Sequence, residues 1–180
     1  MRLFIAIPLP QKVKDYLYDL EKKINSNYAK VRWVHKKNLH LTLKFIGHIN
    51  EDKIEMLKKN LNSINFESFK IKLSSLGAFP NMNNPKVIWV GFEPEDNIIK
   101  LQQCIDEELL TLFPSSEQKL ITHATLGRVK VIKKKKEFLN LLKNIEIEDL
   151  EFEVNSFSLI KSELTRNGPK YWTIENFVSN

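Results

Sequence analysis

A single cysteine, Cys104, stands among the 180 residues, which excludes an internal disulfide and any cysteine-built metal cluster. No long apolar run is present either. The opening MRLFIAIPLP turns to Pro and Lys too soon for a signal or membrane segment and reads as an N-terminal strand. Also missing are a Gly/Ser-rich linker and any low-complexity stretch longer than Lys133–Lys136, so one domain over residues 1–180 is expected. Together these absences point to a reducing, cytoplasmic protein that neither spans nor anchors to a membrane. The charge is one-sided: 28 Lys and Arg against 22 Asp and Glu give a net +6, which favours an anionic partner such as RNA or a nucleotide phosphate.

Two segments share the pattern His-x-Thr-Leu, His40-Leu41-Thr42-Leu43 and His123-Ala124-Thr125-Leu126. Each lies in an apolar run that alternates as a strand does, so His and Thr leave the same face. A lone His-x-Thr signifies little, since a strand His is usually just hydrogen-bonded in place or solvated. Two copies carry more, because one imidazole can accept a proton while the other donates one. Neither motif is ringed by carboxylates or cysteines, so no metal is called for. His35 and His48 lack the Thr and read as non-catalytic.

The two histidines are 83 residues apart, and the same offset carries Phe69 onto Phe152, Ile71 onto Val154, Ser75 onto Ser158, Leu76 onto Leu159 and Trp89 onto Trp172. Helical spacing of apolar residues predicts helices near 11–25 and 51–64 in the first half, and near 95–113 and 134–145 in the second. The Asn/Pro stretch 80–85 predicts a hairpin loop. Each half (approximately 1–86 and 87–180) thus runs strand, helix, His strand, helix, strand. The fold class expected is α+β, with two pseudo-symmetric lobes of antiparallel sheet and outer helices around a central cleft.

These residues resemble the 2H phosphoesterases, and among them the RNA 2′,3′-cyclic phosphodiesterases also described as 2′-5′ RNA ligases. The resemblance runs from the RLFIAI opening through Trp33, NLHLTLKFIG, FPNMNNPKVIWVGF and ITHATLGRV to GPKYW. It implies hydrolysis of a 2′,3′-cyclic phosphate to a 2′-phosphate without metal or other cofactor. His40 would be the proton donor to the leaving 3′ oxygen and His123 the base that activates water; the residues alone do not tell acid from base. The partner implied is RNA with a cyclic phosphate end, or a cyclic nucleotide, acted on by a monomer. The reverse reaction, a 2′-5′ ligation, uses the same groups, and a non-catalytic RNA-binding module or a basic structural protein are the readings from other classes.

Thr42 and Thr125 are candidate phosphate donors. Arg128 is a third, at a position where the family commonly has an arginine; strict alternation turns it away from His123 unless Gly127 bends the strand. Alternation also puts Lys44 on the His40 face, where it could attract phosphate, and sends Phe45 into the core. Phe4, Trp33, Phe79, Trp89 and Tyr171 are candidates for stacking on a base or lining the cleft, although the recurrence of Trp89 and Trp172 suggests paired core residues. Lys133–Lys136 reads as a solvated helix start, and Cys104 as a small core residue.

Overall fold

Leu3, Ile5 and Ile7 bury one face of the first strand while Phe4 and Ala6 are buried on the other, so the apolar run LFIAI forms a strand covered on both sides. A computed structural model describes residues 1–113, 120–166 and 168–180. In chain order these form β1 (Arg2–Pro8), α1 (Gln11–Ile24), β2 (Ala29–Trp33), β3 (His40–His48), α2 (Ile54–Asn62), β4 (Phe69–Phe79), β5 (Val87–Glu93), α3 (Asp96–Glu108), β6 (His123–Ile132), α4 (Lys135–Lys143), β7 (Glu151–Val154), β8 (Ser156–Thr165) and β9 (Gly168–Val178), with 3-10 turns at Lys36–Asn38 and Glu51–Lys53. The architecture is α+β.

The strands form two antiparallel sheets, ordered β3-β1-β8-β9 and β2-β6-β5-β4-β7. Each sheet draws on both halves of the chain: β1, paired with β3, takes β8 on its other side, while β5, paired with β6, takes β4. The join is visible where β4 pairs with β7, through Phe69↔Val154, Lys70↔Glu153 and Ile71↔Phe152. Residues 70 and 153 differ by 83, so equivalent residues of the repeat face each other and a pseudo-twofold axis passes through the Lys70–Glu153 pair. This exchange is why one continuous cluster of buried side chains serves both sheets.

Each predicted helix forms, shortened at its ends, and residues 51–64 divide between the second 3-10 turn and α2. Helix α1 buries Val13, Leu17, Leu20 and Ile24; fully burying such a side chain contributes roughly 1.5–3 kcal/mol. The Asn/Pro stretch does connect antiparallel β4 and β5, with the Asn81 side chain accepting from the backbone N–H groups of Asn83 and Asn84 at 3.0 Å. Two expected core residues are not core. Cys104 is exposed, because the stripe Ile98, Leu101, Ile105 that α3 buries passes beside it. Trp172 is 44% exposed because β9 is an edge strand, whereas Trp89 lies on the interior strand β5. Lys133–Lys136 is exposed, as expected.

Candidate active site

Strands β3 and β6 belong to different sheets yet pack against each other, which brings the two His-x-Thr faces to one cleft. The histidines are fixed in the same way. His40 Nδ1 lies 2.6 Å from the carbonyl oxygen of Asn38, and His123 Nδ1 lies 2.7 Å from that of Ile121. A carbonyl only accepts, so each Nδ1 must carry the proton and each Nε2 is left with a lone pair when the ring is neutral. On His40 that nitrogen receives the Thr42 hydroxyl at 2.9 Å. Among the described residues no such bond joins His123 to Thr125.

Each imidazole sits among aromatic rings. His40 meets Phe4 at 4.9 Å and Tyr171 at 5.5 Å between centroids; His123 meets Phe79 at 5.0 Å and Trp89 at 5.8 Å. This apolar surround pushes both imidazole pKa values below the ordinary 6.5, with burial the largest cause on each. The hydrogen bonds to Asn38 and Ile121 work in the opposite direction. Positive charge adds to the depression, from Lys14 and His123 at His40 and from Arg128 at His123.

A bulge sets the direction of the side chains beyond each motif. Along β1, Ala6 pairs with Thr42 but Ile5 with Lys44, so Leu43 is an extra residue. Along β5, Trp89 pairs with Thr125 but Ile88 with Gly127, so Leu126 is extra. Positions 43 and 126 are again 83 apart: the bulge is part of the repeat. In a bulge two residues oppose one and the alternation slips by one position. Leu43 and Lys44 therefore both turn inward, and Phe45 and Arg128 come round toward the cleft.

The expectations for Lys44 and Phe45 are thereby reversed. Lys44 is only 6% exposed and its Nζ pairs with Asp106 of α3, which also accepts from Gln102; it anchors a helix and does not face the histidines. Phe45 is 71% exposed, 6.2 Å from Phe4. Arg128 is exposed, and its charge bears on His123 and also on Tyr171 of the opposite sheet, which places it across the cleft. Directly opposite it in the β2–β6 ladder is Arg32, a residue that sequence reasoning missed because nothing in the motifs predicts β2. Like charges facing each other across a ladder are unfavourable unless an anion joins them.

Of the aromatic candidates, Phe4, Phe79, Trp89 and Tyr171 contact a histidine, and Trp33 does not. Its ring packs on the main core and over Gly127, where an added Cβ would lie 2.8 Å from Trp33 Cε3 and 2.7 Å from Val31 Cγ1. Gly77 has the equivalent task under Trp89, since an added Cβ would overlap the indole. Gly77→Ala is therefore expected to destabilise the protein by roughly 1–3 kcal/mol and to move the ring that walls His123. Denaturant titration and turnover, measured on the same preparation, check both effects.

Among the described residues no group of three or more His, Cys, Asp and Glu gathers that could hold a metal, and no helix is long and apolar enough to cross a membrane.

The model of a family described as LigT-like phosphoesterase matches the chain twice, over residues 7–89 and 90–171. An RNA 2′,3′-cyclic phosphodiesterase of Methanocaldococcus jannaschii is 37% identical over 179 residues, 98% of this chain and 100% of that one. A protein of the same name from Thermotoga maritima is 34% identical, covering 95% of this chain and 91% of its own. Among solved structures, one from Thermus thermophilus superposes with a TM-score of 0.81 at 26% identity, over 99% of this chain and 97% of that one. Escherichia coli LigT complexed with 3′-AMP shares the fold, with a TM-score of 0.79 at 23% identity over 99% and 97% of the two chains. By these matches, which run almost end to end, the chain belongs to the LigT-like phosphoesterase family.

Proposed function

We propose that this protein hydrolyses the 2′,3′-cyclic phosphate at an RNA end, or on a nucleotide, to a 2′-phosphate by paired imidazole acid–base catalysis. The observation that carries the proposal is the matched tethering of His40 and His123, each with Nδ1–H held by the carbonyl two residues upstream. That leaves Nε2 as the proton-transfer atom of each ring in one cleft, bonded to the Thr42 hydroxyl on His40 and open on His123. The names of the relatives agree with a 2′,3′-cyclic phosphate as the substrate.

Water attacks phosphorus on the side away from the 3′ oxygen, and its proton passes to Nε2 of His123. As the phosphorus–O3′ bond breaks, Nε2–H of His40 gives its proton to the departing oxygen. The products are the 2′-phosphate and a free 3′ hydroxyl, and the two rings exchange protons with solvent to reset. The assignment of acid to His40 follows the family resemblance. Arg128 disfavours the imidazolium at His123 as Lys14 does at His40, so the neighbouring charges act alike on the two rings. Arg128 and the hydroxyls of Thr42 and Thr125 are the donors for the charge that builds on the non-bridging oxygens. The rings provide both proton transfers, so no metal enters the scheme.

Phosphorus NMR of a 2′,3′-cyclic nucleotide, incubated with the protein and a chelator, tests this: the cyclic resonance should give way to that of a 2′-phosphate. A 3′-phosphate product, or turnover only after a divalent metal is restored, contradicts it. The pH profile is a second check. The active free enzyme has one ring protonated and one neutral, and both pKa values lie below 6.5. That form is most populated on the acid side of 6.5, so the bell of kcat/KM should centre there and fall about tenfold per pH unit on its alkaline flank. A bell centred above pH 7 would show that the apolar surround does not govern these rings.

A further inference from the structure

Beside His40 a cavity of about 220 Å³ opens between the first turn of α1, the 3-10 turn at Lys36–Asn38 and the face of β8 and β9. His40 and Tyr171 belong to its wall, so it continues the catalytic cleft. Lys14 and Lys37 also line it, and no carboxylate does. Among the described residues neither lysine has an ion-pair partner, whereas the neighbouring Lys36 is paired with Asp15. Lys14 is half-buried, and burial pushes its pKa down: a partly desolvated cation without a counter-ion is costly to keep. It also stands near the start of a helix, where a cation is disfavoured by the backbone dipole. Neither helix stability nor pairing within the fold accounts for it.

The wall is built to hold its shape. Asn38 donates its side-chain N–H to the carbonyl of Pro169 at 2.9 Å, tying the 3-10 turn to β9. The backbone carbonyl of the same residue fixes His40. Asn38 thus links the turn that carries the exposed Lys37 to the catalytic ring.

Granting the cyclic phosphodiesterase reading, the histidine pair uses the only phosphate of a nucleoside 2′,3′-cyclic phosphate. We propose that Lys14 and Lys37 bind a second one, the phosphate on the 5′ oxygen of the terminal ribose, and so make the enzyme selective for ends that carry it. Such a phosphate comes from two sources: the internucleotide linkage of an RNA chain, or a 5′-phosphorylated cyclic mononucleotide.

The test compares three substrates: a nucleoside 2′,3′-cyclic phosphate, the same compound with a 5′-phosphate, and a dinucleotide ending in the cyclic phosphate. The wild type should favour the last two by about tenfold in kcat/KM, the scale of one hydrogen-bonded ion contact. Its KM for them should also rise more steeply with salt, by a log–log slope of about 0.7 per phosphate engaged. In Lys14→Gln/Lys37→Gln both differences should shrink toward nothing. Preference for the dinucleotide alone marks the diester as the ligand, and preference for both marks the shared phosphate. If all three substrates are opened equally, with equal salt slopes, in the wild type, the lysine subsite is wrong and the hydrolase reading stands. If none is opened, binding of the dinucleotide 2′-phosphate against the mononucleotide 2′-phosphate reads the subsite separately. A tenfold difference that the double variant abolishes upholds the subsite without the hydrolase, and equal binding overturns it.

Discussion

His40→Ala and His123→Ala are each expected to lower turnover of a 2′,3′-cyclic phosphate by at least ~10², the lower end of what one positioned acid or base contributes. The double variant should be little worse than the more damaged single one, because acid and base act in one step and their losses do not add. The rings also fill space: His40 is wedged between Phe4 and Tyr171. Truncation to Ala therefore removes packing as well as chemistry. His40→Gln and His123→Gln keep most of the volume, and an amide cannot exchange a proton near neutral pH. Loss of turnover in the Gln variants with an unchanged unfolding midpoint would separate the two contributions. Retention of near wild-type turnover by any one of the four variants would rule out the two-histidine mechanism.

The His-x-Thr faces are legible in the sequence because the period-2 alternation upstream of each bulge is unbroken, and the 83-residue offset makes them a pair. The site residues downstream of the motifs were not legible in the same way. Leu43 and Leu126 look like ordinary alternating positions, and only the pairing with β1 and β5 shows that each is supernumerary. One inserted residue exchanges the two faces of the strand beyond it, so Lys44 and Phe45 trade places. At Arg128 the glycine before it hinted at the irregularity; at Phe45 the preceding residue is Lys44, whose long side chain conceals the same backbone event.

Long-range pairings escape sequence reasoning for a different reason. That β4 takes β7 on its far edge while β8 joins β1 depends on which edges meet during folding, and a repeat in sequence permits both the exchanged and the unexchanged arrangement. The cavity lysines illustrate the consequence. Lys14 reads as an ordinary polar position of an amphipathic helix, and it acquires a role only because α1 sits beside the turn that leads into β3. Trp33 shows the converse, an aromatic close to a motif in sequence whose ring is taken up by Gly127 of the neighbouring strand.

The same helix carries the second large effect. Glu21 is only 3% exposed, placed between Leu20 and Ile24 on the buried side of α1, and its Oε1 has no hydrogen-bond partner among the described residues. Burial pushes its pKa from 4.5 up to about 8. The folded protein therefore holds a proton there that the unfolded chain releases near pH 4.5. With more protons bound in the folded state, stability falls as pH rises: its contribution is complete below pH 4.5, declines up to about 8 and is lost above that. The decline can reach about 1.4 kcal/mol per pH unit, so several kcal/mol are at stake across the window, less whatever water reaching the carboxylate recovers. Glu21→Gln cannot ionise. Its unfolding free energy should match the wild type near pH 4.5, vary less with pH, and exceed the wild type by a few kcal/mol at about pH 8. Urea unfolding at intervals from about pH 4.5 to 8.5 measures this directly, and parallel curves for the two proteins would mean that Glu21 finds a partner or solvent on ionising. Because α1 supports both the Lys14 wall and the back of β6, the variant should also keep its cleft activity on heating at alkaline pH, under conditions where the wild type loses it.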